Sequence, residues 1–594
     1  MTQTCTAPPA EEAVLAELRE HAPASFGAMF LDRTAAQPRE VAYLRPGPDG
    51  WQSRTWAQTA QAVTEIAAGL LALGLRPEDR VAIAAGTRVE WIEADFGVMC
   101  AGGATTTVYP SSSPEEVAHI LTDSGSRFAV AEDPSHLTRL LFAGTPVEQV
   151  VLIDGDAPDD PRVRTLAALR ALGHDELRER PGLVEDATAR VRPEHLATLI
   201  YTSGTTGLPK GVRVAHSAWI YQGLAIRAMG ILHSDDLAYL WLPLSHAFGK
   251  ALLSCQLSVG FPFAVDGDVS RIVQRLGEVR PTIMPAVPRI FEKVYAAVSA
   301  ATGVQRRLLN WAIGVADRRR SGLRYRIADR LVLAKVRARF GGRMRFFISG
   351  AAALSPDIAR WFDAIGLPIA EGYGLTESCA TTVFNRPDRP EYGTVGMPLA
   401  GTRVRIADDG EILLRGPGLM AGYHGLDSDA VLAGGWLHTG DIGEITPGGS
   451  LRITDRKKDL IKTSNGKYVA PQSIEARFKA ICPLAGQFVV HGENRKYITA
   501  LIDLDPDEAR RWAAAHGLDG VTHAEIAGSA DLRETLQGYV DQLNTTLNSW
   551  ETIKRFAVLD HPLSIESGEL TSSLKLRRRV IEERYRPVLD DLYT

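Results

Sequence analysis

Cysteine is scarce in these 594 residues: Cys5, Cys100, Cys255, Cys379 and Cys482 are odd in number, far apart, and form no C-x-x-C pair. That argues against a disulfide framework and against a zinc site, and fits a reducing cytoplasm. An excess of positive charge is also missing. With 66 Lys plus Arg against 71 Asp plus Glu the formal charge is −5, so a general nucleic-acid binder is not expected and the partners should be small molecules or proteins. No uncharged apolar run is long enough to span a bilayer, and the start, MTQTCTAPPAEEAVLAELRE, lacks the basic end and apolar run of a signal peptide. A soluble cytoplasmic protein is expected, with peripheral membrane contact left open. Internal repeats and low-complexity tracts are absent too.

What is present is long enough for two or more domains. From about residue 80 the text alternates in the βαβ manner: RVAIAA as a strand, VEWIEADFGVMCAGG as a helix, ATTTVYP as the next strand. SSSPEEVAHILTDSG carries a helix start at Ser113–Pro114–Glu115–Glu116, an apolar face of Val117, Ile120 and Leu121, and a stop near Gly125. RFAVAED and EQVVLIDG read as strands. The charged, Pro-containing stretch from about 155 to 195 shows no strong periodicity and reads as surface. Residues 300–342 read as helical and strongly basic; either this is a solvated face or it touches anionic lipid or a partner. MRFFISGAAALS and GTRVRIADDGEILLRG are sheet-like, with DDG as a hairpin turn. Composition breaks near ITDRKKDLIKTSNGKYVAP, beyond which a helix at PQSIEARFKAI and a hairpin at QFVVHGENRKYITALIDL suggest a smaller domain.

The strand LATLIYT runs into SGTTGLPKG. Glycines expose backbone N–H groups, hydroxyls add donors and Lys210 adds a cation, so Ser203, Gly204, Thr205, Thr206, Gly207 and Lys210 suit an anion such as phosphate. For the glycines alone a surface turn is the plain alternative. The spacing is not that of a Walker A loop, because Leu208 and Pro209 separate Gly207 from Lys210. The end of a buried strand is where open α/β sheets place ligands.

TSGTTGLPKG resembles the phosphate loop of the adenylate-forming enzymes, the group of acyl-CoA synthetases, luciferases and peptide-synthetase adenylation domains. Further segments resemble that family in its order: SGAAALS with EGYGLTES, GGWLHTGDIGEI, TDRKKDLIKTSNGKYVAP and SGELTSSLKLRRRVI. The resemblance implies an α/β fold with a large multi-sheet N-terminal domain, residues 1–457, and a small mobile α+β C-terminal domain, residues 458–594. It implies ATP, Mg²⁺ and CoA as ligands. Thr202 and Glu377 would hold the metal and share in catalysis with His246 and Lys575. Gly350, Ala351 and Ala352 would line the adenine, Tyr373 stack on it, and Glu371, Gly372, Gly374 and Thr376 complete that segment. Asp441 would accept from the ribose hydroxyls, a task suited to the two oxygens of a carboxylate. Ile453 and Arg456 would lie near the nucleotide, Lys458 at the pivot, and Lys575 would offset charge at the α-phosphate.

In LPLSHAFGK, His246 would border the acyl pocket, while Lys250 reads as a stem packed on the surface with its amine in water, or as a cation meeting a carboxylate. Within the family the chain looks most like long-chain fatty-acyl-CoA synthetases. The implied reaction is ATP-dependent conversion of a medium- or long-chain fatty acid to acyl-AMP and pyrophosphate, then transfer to CoA. Aryl acids, a carrier-protein acceptor, or nitrite activated to diazotise an aromatic amine are alternatives, as is a lipid- or partner-binding scaffold without catalysis.

Overall fold

Short apolar runs separated by Gly and Pro breaks build five sheets in the computed structural model, which describes residues 4–202, 208–299, 303–318, 320–464, 467–518, 520–571 and 575–594. A seven-stranded sheet holds β1 (Arg80–Ala84), β2 (Ala104–Val108), β3 (Phe128–Ala131), β4 (Gln149–Leu152), β5 (Val163–Thr165), β6 (Leu196–Thr202) and β7 (Lys210–Ala215), in the order β7-β6-β2-β1-β3-β4-β5. Six of these strands are parallel, and β7 folds back antiparallel on β6 at one edge. Burial on both faces explains their continuous apolar text.

Helix α1 (Val89–Cys100) follows β1 and is buried almost throughout. Helix α2 (Pro114–Ser124) forms as its sequence predicts: Ser113 accepts from the Glu116 amide, Pro114 fixes the first turn, and Gly125 ends it at φ 59°. Its buried Val117, Ile120 and Leu121 contribute about 1.5–3 kcal/mol each.

Residues 155–195 lie mostly at the surface, as expected, but they are more regular than their text suggests. They contain β5 and two helices, Leu166–Glu179 and Leu183–Ala189. The first packs on the helix Trp56–Ala72 through Leu166, Leu169 and Gly173, a stripe too narrow and too poor in large side chains to stand out among charges.

A second, nine-stranded sheet combines an early hairpin (Val41–Gly47, Gly50–Thr55) with later strands, including β8 (Phe346–Ser349) and β9 (Ile369–Tyr373). Between the two large sheets lie helices α3 (His216–Ala228) and α4 (Ala247–Val259), packed on each other and sharing one apolar core with α1. A five-stranded sheet ends in β10 (Leu437–Ile445) and β11 (Leu451–Arg456); DDG turns the hairpin before it, as the sequence predicts.

From Ile461 onward a separate core forms around Phe478 and Phe488, whose rings stack at 3.9 Å, beneath a three-stranded sheet. All five cysteines are buried and free. Among the described residues, no helix is long and apolar enough to cross a membrane.

Candidate active site

The antiparallel pairing of β6 and β7 brings Thr202 opposite Lys210. Ser203, Gly204, Thr205, Thr206 and Gly207 lie outside the described residues, but what frames them does not. On one side the His119 ring donates to the Pro209 carbonyl at 2.8 Å and Tyr201 donates to Asp123 at 2.6 Å, tying the turn to α2. On the other, residues 421–424 run along β7 through backbone bonds of 2.7 to 3.0 Å, fixing Tyr423. Lys210 Nζ sits 5.4 Å from the Tyr423 ring centre, and the Tyr423 hydroxyl donates to Glu377 Oε1 at 2.9 Å. The chain thus links the cation of the Gly-rich turn to the acidic residue expected at a metal. Tyr423 is absent from the sequence reading; its only signal there is an aromatic between two glycines in AGYHG.

β8 and β9 run parallel, pairing Ser349 with Glu371, so Gly350 and Tyr373 emerge at the same sheet end. Left-handed backbone clusters here: Ala351 has φ 70°, Cys379 φ 56° and Ala380 φ 74°. Such conformations in residues bearing a Cβ are held only where surrounding structure over-determines them. Gly374 is required for a packing reason, since a Cβ on it would lie 1.8 Å from the Ala380 carbonyl oxygen. Thr376 and Glu377 open a short 3₁₀ turn behind it. Gly372 is half-buried, while Ala351 and Ala352 are exposed. Glu371 is buried with Oε1 meeting no partner among the described residues, and burial pushes its carboxyl up to about 8 against the pull of the Leu354 amide.

The strands β10 and β11 pair Asp441 with Arg456. Arg456 Nε lies 3.2 Å from Asp441 Oδ1, and the Tyr373 hydroxyl donates to Oδ2 at 2.7 Å. Burial raises the Asp441 carboxyl despite Arg456 and Tyr373, and raises the Tyr373 phenol well above its usual range. Ile453 is half-buried on β11, and Lys458 is exposed in the turn that follows.

Lys575 comes from the other end of the chain. Its backbone is closed against Thr571, and its charge is felt by Glu377, Asp441, Arg456 and His246. The residue as a whole is open to solvent, while its ammonium is surrounded by protein atoms. Loss of hydration and then Arg456 push its value down, and Glu377 and Asp441 oppose them.

His246 caps α4, its Nδ1 accepting from the Phe248 amide at 3.2 Å. Burial and the Lys575 charge hold it near 3, so the ring is neutral. Lys250 corrects the surface alternative. It is wholly buried, with Nζ 2.6 Å from Asp95 Oδ1, and burial lowers its value more than Asp95 raises it.

These segments, scattered over more than 370 residues, are drawn together through Tyr423–Glu377, Tyr373–Asp441–Arg456 and the Lys575 charge, and the chain as a whole was compared with known proteins. A family model described as AMP-binding enzyme matches residues 30–424, and one described as AMP-binding enzyme C-terminal domain matches 458–594. The chain is 33% identical to the long-chain-fatty-acid–CoA ligase FadD15 of Mycobacterium bovis, over 96% of this chain and 97% of that protein. It is 29% identical to the peroxisomal long chain acyl-CoA synthetase 6 of Arabidopsis thaliana, over 91% and 81%. Among solved structures it is similar in fold to the anthranilate CoA ligase AuaEII in complex with anthranoyl-AMP, with a TM-score of 0.70, 18% identity and coverage of 96% and 99%. It is also similar to the adenylation domain of a carboxylate reductase from Mycobacterium chelonae, with a TM-score of 0.72, 21% identity and coverage of 99% and 94%. The chain belongs to the AMP-binding, adenylate-forming enzyme family, close to the long-chain acyl-CoA synthetases.

Proposed function

We propose that this enzyme converts a fatty acid and ATP to acyl-AMP and pyrophosphate, then passes the acyl group to CoA. The observation that carries the reading is the approach of Lys575, from the small domain, to Glu377, Asp441 and Arg456 of the large one. Asp441 suits a ribose diol, and Tyr373, anchored to it, presents an aromatic face beside β8 for the base. Glu377 accepts from Tyr423 and has no ion pair among the described residues, which fits a carboxylate waiting for a divalent cation. With Thr202 it would hold Mg²⁺, which supplies charge neutralisation for the phosphates.

In the first half-reaction the acid's carboxylate attacks the α-phosphorus and pyrophosphate leaves. Negative charge grows on the oxygens there, and Lys575, fixed in a partly desolvated cleft, offsets it. Neutral His246 borders the acid without adding a charge of its own. In the second half-reaction the small domain, 458–594, turns about Lys458 and withdraws Lys575 from the large domain, 1–457, so that the CoA thiol reaches the mixed anhydride. Purified protein with MgATP and a fatty-acid panel should release pyrophosphate and form a CoA thioester. Release with nitrite and an aromatic amine but with no fatty acid would overturn this substrate class.

The enzyme rests on anionic bilayers in this reading. Support comes from α5 (Gly303–Arg318), which exposes Val304, Leu308 and Trp311, and from α6 (Leu323–Ala328) with the π-helical turn after it, which exposes Leu323, Ile327 and Leu331. The two stripes lie on helices packed together and are flanked by exposed Arg306, Arg307, Arg324, Arg326 and Arg330. Apolar side chains framed by cations match the interface of a negatively charged membrane. Flotation with phosphatidylglycerol-containing vesicles, reduced by Leu308→Glu with Leu331→Glu, is expected; no binding at low salt would overturn it.

A further inference from the structure

The ammonium of a lysine sits at the end of a flexible four-carbon stem, so the place of the Lys575 charge is only as well defined as the backbone that carries it. That backbone is built with care. Residues 569–571 and 575–577 run antiparallel as two short arms, with Leu570 bridged to Leu576. The Thr571 amide donates to the Lys575 carbonyl at 2.9 Å, the Lys575 amide donates to the Thr571 hydroxyl at 3.0 Å, and the Arg577 amide donates to the Glu569 carbonyl at 2.8 Å.

Glu569, at the root of the arms, exposes no surface. Its Oε1 accepts from Arg584 Nη1 at 2.8 Å and from the Tyr585 hydroxyl at 2.9 Å, and its Oε2 accepts from the Ser567 hydroxyl at 2.5 Å and the Ser564 amide at 3.3 Å. Those four bonds fill the acceptor sites of a carboxylate. Arg584 ends α7 (Arg578–Arg584), the helix that follows the second arm, and Tyr585 comes directly after it. Burial raises the Glu569 carboxyl, but Ser567, Arg584, Tyr585 and Ser564 together outweigh it and hold the group below its ordinary value, so it is ionised. Stability alone does not call for this charge. Leu570 of the first arm already packs with Leu559, Leu563 and Ile581 in one apolar cluster, and apolar contacts of similar volume serve as well as a buried ion pair. What charge-assisted bonds add is direction: they fix how the first arm leaves its root, and through the paired backbone they fix Lys575.

We propose that Glu569, bonded to Arg584, Tyr585, Ser567 and Ser564, is a positioning residue that holds the Lys575 arm in the geometry needed for acyl-AMP formation. The proposal rests on the reading in which Lys575 offsets charge at the α-phosphate. Glu569 touches neither substrate nor reacting atoms and acts only through the lysine. Its contribution belongs to the first half-reaction, because in the second Lys575 is withdrawn.

The test is a double-mutant cycle, read as single-turnover pyrophosphate release with MgATP and the fastest acid of a panel from octanoate to palmitate. Glu569→Gln keeps the shape of the side chain but sets its own N–H donors against one pair of the donors around it. It should slow acyl-AMP formation roughly ten- to hundredfold, the size of loss that a misplacement of about 1 Å produces. Thioester formation from preformed acyl-AMP should keep its rate. In a Lys575→Ala background the same substitution should change acyl-AMP formation by less than about twofold, since a residue acting only through Lys575 has nothing left to act on. Equal slowing with and without the lysine overturns the proposal, as does equal slowing of both half-reactions. If Glu569→Gln does not fold, Tyr585→Phe removes one of the four donors and enters the same cycle, with an expected loss of about threefold that vanishes without Lys575; a loss that persists there overturns the proposal. No release from the unaltered enzyme with any acid would instead overturn the activation reading, and unchanged adenylation in Lys575→Ala the role of that lysine, each taking this proposal with it.

Discussion

Arg289 of the large domain reaches across to the small one, placing Nη2 2.6 Å from Asp505 Oδ2 and Nη1 3.1 Å from the Ala485 carbonyl. Lys293, one turn on, lies 3.5 Å from the same carboxylate, and at the far side Arg577 pairs with Glu116 of α2 at 3.0 Å. Together these contacts hold the small domain in the orientation that brings the Lys575 charge near Glu377, Asp441 and Arg456. Partly exposed pairs are each worth up to ~1 kcal/mol. Arg289→Ala with Glu116→Gln should therefore shift the balance between the two arrangements and slow single-turnover pyrophosphate release by about three- to tenfold. Thioester formation from preformed acyl-AMP should keep its rate or gain. Equal slowing of both halves would show that the contacts serve stability and not the choice of arrangement.

Lys575→Ala tests the charge at the α-phosphate. Removing one cation or donor from a developing oxyanion typically costs 10²- to 10³-fold. A loss of roughly that size is expected in acyl-AMP formation, with the melting temperature nearly unchanged because the residue is open to solvent. Unchanged adenylation would remove Lys575 from the mechanism.

The strands and capped helices that build the cleft are legible because their information is local. Ser113 to Gly125 spells one helix from cap to stop, and LATLIYT ends where β6 ends. The same holds for Asp441 and Arg456, each inside a recognisable segment. What escapes is whatever depends on distant partners. Asp95 and Lys250 are 155 positions apart, and a lysine between Gly249 and Ala251 looks the same whether its amine meets water or a carboxylate. Tyr423 and His119 meet Lys210 and Pro209, at the end of the Gly-rich segment, through contacts no spacing rule reveals. The helix Leu166–Glu179 is hidden for a different reason: its buried face is only Leu166, Leu169 and Gly173, the glycine being needed because a Cβ there would lie 1.8 Å from the Glu65 carbonyl oxygen.

The pivot is tested by Lys458→Pro. Lys458 is exposed in the turn after β11, so a ring that fixes φ there leaves the packed elements intact while restricting rotation. Adenylation should persist and thioester formation should fall at least about tenfold, measured separately by pyrophosphate release and by thioester yield. Equal loss of both would place the hinge elsewhere.

Glu371 gives the pH dependence a direction. Its carboxyl is held near 8 in the folded protein, above the ordinary 4.5, because burial disfavours the charged form. Below pH 4.5 both folded and unfolded chains hold the proton, and the group adds no pH dependence. As pH rises from 4.5 to 8 the unfolded chain releases its proton first, so the folded state loses stability over that window, bounded by roughly 5 kcal/mol. Glu371→Gln cannot ionise and keeps a hydrogen-bonding head of nearly the same shape. Its melting temperature should match that of the unaltered enzyme at pH 5 and exceed it increasingly toward pH 8. Other buried carboxyls, Glu93, Asp455 and Asp503, are held near 7, so the difference between the two proteins, not either curve alone, is the quantity to follow. A difference that stays flat from pH 5 to 8 would mean that Glu371 is ionised in the fold, with a cation or donor meeting its Oε1.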